Sequence, residues 1–382
     1  MNSRVNGPLS GLLVADFSRV LAGPYATMLL ADLGADVVKV ERPGTGDDTR
    51  AWGPPFAPDG TATYFLGVNR NKRSVALDLR APEDAALARE LVRRSDVVVE
   101  NLLPGTMDRL GLGYETVRAA NPGLVYCSIT GFGDGPGAAL PGYDLLAQAV
   151  GGLMSVTGEP GSPTKAGVAL VDVITGLHAA FGILAALRHR DATGEGQQVS
   201  VSLLTSLLSG LVNHASAYLA AGTVPQAMGN RHPSIAPYEV FDAADRPMVI
   251  AAGNDRQFHS LCTALGAPEL AADDRFTTNE KRVAHREALA SELNARLAGA
   301  PAEDWTAALT AAGVPCGPIN DLAGAFALAE ALGVDAVADV EGVRQSAHPV
   351  RFGSTPAAYR SAPPGLDADG DAVRAWLTQP SS

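Results

Sequence analysis

Apolar positions follow two rhythms along the first 220 residues. Mainly apolar runs at 12–16, 36–40, 96–100 and 124–129 are separated by stretches in which apolar residues recur every three to four positions. Short runs of this kind predict buried strands, and the longer period predicts helices over 24–34, 82–94 and about 114–120. Pro24 opens the first helix and Gly34 closes it, the asymmetry that helix ends favour. Strands alternating with helices predict an α/β fold with a Rossmann-like, doubly wound, mostly parallel sheet.

Residues 167–172 read as a further strand-like run ending in a lone carboxylate, Asp172, and residues 173–187 are apolar on nearly every face. The latter pattern predicts a fully buried helix. Residues 198–202 alternate like a strand and lead into a second apolar helix ending near Ala221. From 222 to 238 the chain turns rich in Gly, Pro, Asn and His, which predicts a linker. A smaller α/β domain over 239–320 follows, with a strand near 248–253, helices at 256–265, 280–297 and 305–312, and a turn at Pro315-Cys-Gly-Pro318. Residues 321–382 hold a short helix, a strand-like stretch at 342–352 and a Pro/Gly-rich tail.

Composition narrows the function. A chain of 382 residues with 46% hydrophobic content suggests two or three domains with ample core. A net charge of −12 argues against a nucleic-acid partner, while leaving room for local basic clusters that bind anions. Neither a signal peptide nor a membrane-length apolar run is apparent, so a soluble, cytoplasmic protein without a membrane partner is expected. Cys127, Cys262 and Cys316 form no CxxC, and the seven histidines are scattered, so neither a disulfide framework nor a metal site is expected. The first strand–helix–strand unit imitates a dinucleotide fold, but Gly23 is the single glycine between Asp16 and Pro24. That is not GxGxxG, and the run Gly131–Gly137 lacks the Lys-Ser/Thr of a P-loop.

Asp172 is the strongest candidate for chemistry. An aspartate at the start of a helix is also an ordinary N-cap, and the two readings are compatible. The helix dipole and amide donors would keep a partly buried carboxylate ionised, and only the ionised form attacks a thioester.

The block Gly142-Tyr-Asp-Leu-Leu-Ala-Gln-Ala-Val-Gly-Gly-Leu-Met154, Thr157-Gly158, Asp172 and Thr193-Gly-Glu-Gly-Gln197 strongly resembles the family III CoA-transferases, the CaiB/BaiF group. Leu21-Ala-Gly-Pro24, Val38-Lys-Val-Glu-Arg-Pro-Gly44, Asn71-Lys-Arg-Ser74, Ser128-Ile-Thr-Gly-Phe-Gly133 and Gly313-Val-Pro-Cys-Gly-Pro-Ile319 extend the likeness over nearly the whole chain. The resemblance implies an interlocked homodimer. It implies a large CoA-binding domain over 1–221, completed from 330 onward by a return segment that starts at 321. Coenzyme A or an acyl-CoA is then a substrate, not a resident cofactor, and the other substrate is a small carboxylic acid.

The resemblance also assigns roles. Asp172 is the catalytic aspartate, with Asp144 beside the reacting group, although Asp144 also reads as a second helix cap. Arg42 and Arg109 contact phosphate, for which the guanidinium fork is suited. Leu77 and Arg80 lie on the nucleotide side, Asn101 and Leu102 flank the pantetheine path, and Val20, Ala22 and Tyr143 are further CoA contacts. The α-methylacyl-CoA racemases of this fold carry His where this chain has Tyr143, and a phenol with an ordinary pKa near 10 is a poor second base. Transfer is therefore expected over racemisation, with a CoA-binding protein lacking turnover as the other alternative.

Leu21 after Val20, and the absence of a poly-Gly loop, point away from oxalate or formate. The stretch 229–239 resembles dicarboxylate-handling members such as succinate-hydroxymethylglutarate CoA-transferase, with succinyl-CoA as the expected donor. Arg231 and His232 would then hold a distal carboxylate, and the backbone near Gly253 or in the first loop would supply oxyanion donors.

Overall fold

The computed structural model describes residues 7–380. The chain divides into two units, one from the segments up to Leu153, Lys165–Val224 and Asp335 onward, the other from Met154–Thr164 and Pro225–Val334. Residues 225–238, expected as linker, and the helix Leu322–Ala331, expected in the return segment, both fall in the second unit.

The first unit is built on six parallel strands: β1 Leu13–Asp16, β2 Asp36–Glu41, β3 Lys72–Ala76, β4 Val97–Glu100, β5 Val125–Thr130 and β6 Gln198–Ser202. Their order, β3-β2-β1-β4-β5-β6, is that of a doubly wound sheet. The winding reverses between β1 and β4. The loops that follow these two strands therefore border the crevice in which ligands of such sheets bind.

β3 has no counterpart among the expected strands, because Lys-Arg-Ser-Val-Ala is not an apolar run. Lys72 is nonetheless buried, with its ammonium 3.1 Å from Asp16 and donating to Pro24 O and Asn69 Oδ1 at 2.9 Å each. A charge can be buried when it is paired and hydrogen-bonded, and a search for apolar runs passes over such a strand. As an edge strand, β3 has its free amides satisfied from the C-terminal segment. Asp369 accepts from Ser74 N at 2.9 Å and Asp367 from Ala76 N at 2.8 Å.

The first helix, Ala22–Asp32, is buried at every residue but Tyr25. Against it and against β5 and β6 packs the long central helix Leu170–Thr193. Gly176 permits this approach, since a Cβ there would lie 2.7 Å from Ala22 O. Ala179, Ala180, Ile183, Ala186 and Leu187 face the core, but Leu177, Leu184 and, at 74%, Phe181 are exposed. The expectation of a fully buried helix is thus corrected: one apolar face has no cover within the chain. By length and composition this helix could also cross a membrane, contrary to the expectation that no such run exists, but its packing is that of a core helix.

On the other face of the sheet, the helices Pro82–Arg94 and Gly370–Thr378 bury Leu91, Val92, Val373 and Leu377 against Val38, Val40 and Val98. Arg70, just before β3, is 1% exposed. It donates to Asp32 through Nε at 2.9 Å and Nη2 at 2.6 Å, and through Nη1 to Gln345 Oε1 at 3.2 Å and Ser346 O at 2.9 Å.

The second unit has an antiparallel sheet of β7 Tyr238–Asp242, β8 Pro247–Ala251 and β9 Cys316–Pro318, so the expected turn at 315–318 is instead a short strand paired with β8. Helices Asp255–Ala264, Arg286–Leu297 and Ala302–Ala311 enclose a core around Phe241, Ile250, Phe258, Leu293 and Leu309. In the first unit, the strand-like stretch at 342–352 contributes β11 Val343–Ser346, which pairs with β10 Val337–Val340 in a short hairpin.

Candidate active site

Residues 165–169 form no strand, and the central helix begins at Leu170 with Ala169 as its N-cap. Asp172 is therefore the third residue of the helix, and the N-cap reading of it is corrected. Asp144 does the capping instead. From the first turn of the helix Asp144–Val150 its Oδ1 accepts from Val171 N at 2.8 Å and Asp172 N at 3.2 Å. Gln148, four residues on, holds that carboxylate through Nε2 at 2.5 Å while its Oε1 accepts from Ala166 N at 2.8 Å. The i,i+4 spacing of Asp144 and Gln148 is the signal that could have found this buried glutamine.

Because Asp144 takes these amides, they do not offset the desolvation of Asp172. Burial, and then the neighbouring Asp144 charge, push the Asp172 carboxyl up to about 7. The expectation that the helix start keeps it ionised like an ordinary aspartate is corrected. Near neutral pH it exists in both forms.

Asp172 lies in the wall of a cavity of about 280 Å³ that Val20, Ala22, Asn101, Leu102 and Tyr143 also line. A second cavity, of about 660 Å³, is lined by Arg42, Leu77, Arg80 and Leu102. Arg19 and Leu102 belong to both linings. Arg109 is outside both, but donates to Thr106 Oγ1 at 2.9 Å in the wall of the second. Asp48 pairs with Arg42 and, at 3.1 Å, with Arg19, so a ligand phosphate entering between these two cations would displace a carboxylate. Asn101 is engaged with the first loop, accepting from Arg19 N at 2.9 Å and donating to Arg19 O at 2.7 Å.

Tyr64 is a residue that no spacing pattern singled out. Its ring stacks edge-on against Trp52 at 5.3 Å. Burial, followed by the charges of Asp172, Asp144 and Asp47, raises its phenol to about 12.

The remaining candidates, Arg231, His232 and Gly253, lie in the second unit. Arg231 is already engaged by Glu239 at 3.2 Å and by Glu287. His232 stacks on Tyr238 at 5.2 Å, and Gly253 N donates to Gln257 Oε1 at 2.9 Å. A substrate carboxylate at Arg231, or an oxyanion at Gly253, would have to replace these partners. Among the described residues no group of three or more His, Cys, Asp and Glu side chains is arranged to hold a metal ion, and the three cysteines are free thiols.

Comparison with known proteins identifies the family and agrees with the fold. Residues 9–370 match the model of CoA-transferase family III. The chain is 45% identical to a succinate–glutarate CoA-transferase of Agrobacterium fabrum over 94% of its own length and 93% of the relative's. It is 42% identical to an acetyl-CoA:oxalate CoA-transferase of Acetobacter aceti over 100% and 98% of the two chains. The crystal structure of a CaiB/BaiF family protein from Brucella suis superposes with a TM-score of 0.88 at 46% identity, covering 97% of this chain and 100% of that one. The family model matched along nearly all of the sequence, with relatives 42–45% identical over nearly their whole length, places this chain in CoA-transferase family III, whose substrates are CoA thioesters.

Proposed function

We propose that the enzyme moves CoA from an acyl-CoA, with succinyl-CoA the best-supported donor, to a small dicarboxylic acid, with Asp172 as the acyl acceptor. The observation that carries this reading is the placement of the Asp172 carboxyl in the wall of the cavity at the switch point. In the first step a carboxylate oxygen attacks the thioester carbon, the C–S bond breaks, and an aspartyl mixed anhydride and CoA thiolate result. The thiolate then attacks the aspartyl carbonyl, releasing the donor acid and leaving an aspartyl–CoA thioester. The acceptor carboxylate repeats the two steps in reverse order and regenerates Asp172. Covalent catalysis of this kind divides one difficult exchange into steps of similar difficulty. The glutarate named for the Agrobacterium relative supports a dicarboxylate acceptor here, and the oxalate named for the Acetobacter relative, also a dicarboxylate, weakens the reading of Leu21 as pointing away from oxalate. A panel of acyl-CoAs against mono- and dicarboxylic acids, read by mass spectrometry, tests the assignment.

Only the ionised form of Asp172 attacks, so with its pKa raised to about 7 the kcat/KM should rise about tenfold per pH unit below that value and level off above it. Asp144→Asn removes the like charge but keeps an amide oxygen for Val171 N and Asp172 N. The rising limb should therefore move to lower pH. A limb unmoved by Asp144→Asn would show that the Asp144 charge does not govern the reacting carboxyl.

Arg42 and Arg109 are proposed as phosphate contacts of the CoA moiety. Loss of charge-assisted hydrogen bonds of about 1.5–3 kcal/mol should raise KM for acyl-CoA roughly tenfold or more in Arg42→Ala and in Arg109→Ala. Steady-state kinetics should show kcat little changed, and the reverse pattern would remove both residues from this role. The uncovered apolar face of the central helix at Leu177, Phe181 and Leu184 supports a homodimer, interlocked as the family resemblance implies.

A further inference from the structure

The turn between β1 and the first helix carries the Val20–Ala22 wall of the Asp172 cavity, and it is strained. Val20 has φ of 69°. A β-branched residue in the left-handed region is disfavoured by roughly 1–3 kcal/mol and stays there when its surroundings over-determine it. Three side chains from three parts of the fold supply that constraint. Lys39 of β2 donates to Ser18 O at 2.9 Å. Asn101, after β4, clamps both backbone groups of Arg19. Asp47 takes the Val20 N–H itself, at 3.2 Å to Oδ1 and 3.3 Å to Oδ2.

Asp47 is built to keep this acceptor in place. It is 3% exposed, its Oδ2 is 2.9 Å from the Lys39 ammonium, and its Oδ1 accepts from Thr49 N at 3.0 Å and Thr49 Oγ1 at 2.8 Å. Its own amide donates to Glu41 Oε2 at 2.9 Å. Burial alone would raise its pKa, but the Lys39 charge and the Thr49 hydrogen bonds outweigh burial and leave the carboxyl below its ordinary value. Nothing in the proposed acyl-transfer steps uses this carboxylate.

We propose that Asp47 is a positioning residue for acyl transfer: by holding the Val20 N–H it keeps the strained turn, and with it Leu21 and Ala22, against Asp172. This inference rests on the reading of Asp172 as the acyl acceptor. If the acceptor is lost, Val20 relaxes toward negative φ and carries the cavity wall with it. Small misplacements of groups around a reacting centre cost about a hundredfold in rate per ångström.

A double-variant cycle separates positioning from a merely structural Lys39–Asp47 pair, because glycine adopts positive φ without the steric penalty that the restraint offsets in valine. In the full-length protein, Asp47→Ala, which removes the acceptor of the Val20 N–H, should lower kcat about tenfold while KM for acyl-CoA stays within about twofold. Combined with Val20→Gly, the same substitution should lower kcat less than about threefold relative to Val20→Gly alone. Hydrogen exchange should show the amides of 19–22 opening faster in Asp47→Ala, whereas Asp47→Asn, which keeps an oxygen for that amide, should recover most of the lost kcat. Should Asp47→Ala fail to fold, Asp47→Leu, which fills the buried site without an acceptor, takes its place in the cycle. Equal losses of kcat with and without Val20→Gly, or an unchanged kcat in Asp47→Ala, overturn the inference while leaving the transferase reading intact. Absence of CoA transfer by the wild type overturns that reading first.

Discussion

Replacing Asp172 with alanine is expected to lower kcat for CoA transfer by more than roughly a thousandfold while CoA binding survives. The substitution removes the acyl acceptor but leaves Arg42, Arg80, Asn101 and Arg109 in place. Hydroxylamine added to the wild type with acyl-CoA should leave a hydroxamate on residue 172, seen by peptide mass spectrometry, and none in Asp172→Ala. Retention of more than a few per cent of wild-type kcat would remove Asp172 from the reaction. The same residue makes a prediction about stability. Its pKa is raised on folding, so the folded state holds the proton more tightly than the unfolded chain, and stability falls as pH rises from the ordinary carboxylate range to about 7. Asp172→Asn should therefore be more stable than the wild type by on the order of 1–3 kcal/mol at pH 8, allowing for partial exposure. The difference should vanish below about pH 4. Such a residue is retained at a cost to folding, as expected of a functional group.

Arg70→Ala is expected to destabilise the first unit by about 3–5 kcal/mol, because it strands a buried carboxylate. Asp32 is 1% exposed and would keep only the Asn71 amide, at 2.7 Å, as a side-chain partner. Urea denaturation followed by far-UV circular dichroism reads the shift in midpoint. Arg70→Leu combined with Asp32→Leu should recover much of the loss, since replacing both members of a buried pair by apolar groups is often close to neutral. If the double variant is as unstable as Arg70→Ala, the loss comes from the Arg70 contacts to Gln345 and Ser346 instead.

The parallel sheet was legible because four of its six strands are mainly apolar runs and β6 alternates, all set between helical periods and turn residues. β3 was not, since its burial depends on Asp16, a partner 56 positions away from Lys72. Periodicity is a local signal and carries no trace of such pairing. The same limit explains the site. Asp172 stood out as one carboxylate against an apolar background, and the family motifs drew attention to Arg42, Asn101 and Tyr143. Whether the helix start would ionise Asp172 or leave it partly protonated depended on which carboxylate claimed the amides of Val171 and Asp172, and that is settled by Asp144 from another helix. Tyr64 and Asp47 act through space on residues far along the chain, so neither spacing nor composition could mark them. The apolar pattern of the central helix was read correctly as apolar but not as to what covers it: Phe181 and its neighbours are left exposed in the single chain.

The first unit closes only with the segment from Asp335 onward, and this orders events during synthesis. When β3 leaves the ribosome, the acceptors for Arg70 at Gln345 and Ser346, and the carboxylates that satisfy the Ser74 and Ala76 amides, are still some 270 to 295 residues from being made. A nascent chain in that interval has Arg70 paired with Asp32 but lacking its two later acceptors, and an open sheet edge, the kind of surface that chaperones cover. The second unit, whose long segment is continuous, can complete itself meanwhile. Sealing of the β3 edge therefore waits on the segment from Asp335 onward, and a chain stalled before that segment is made would carry a finished small unit and an unsealed large one.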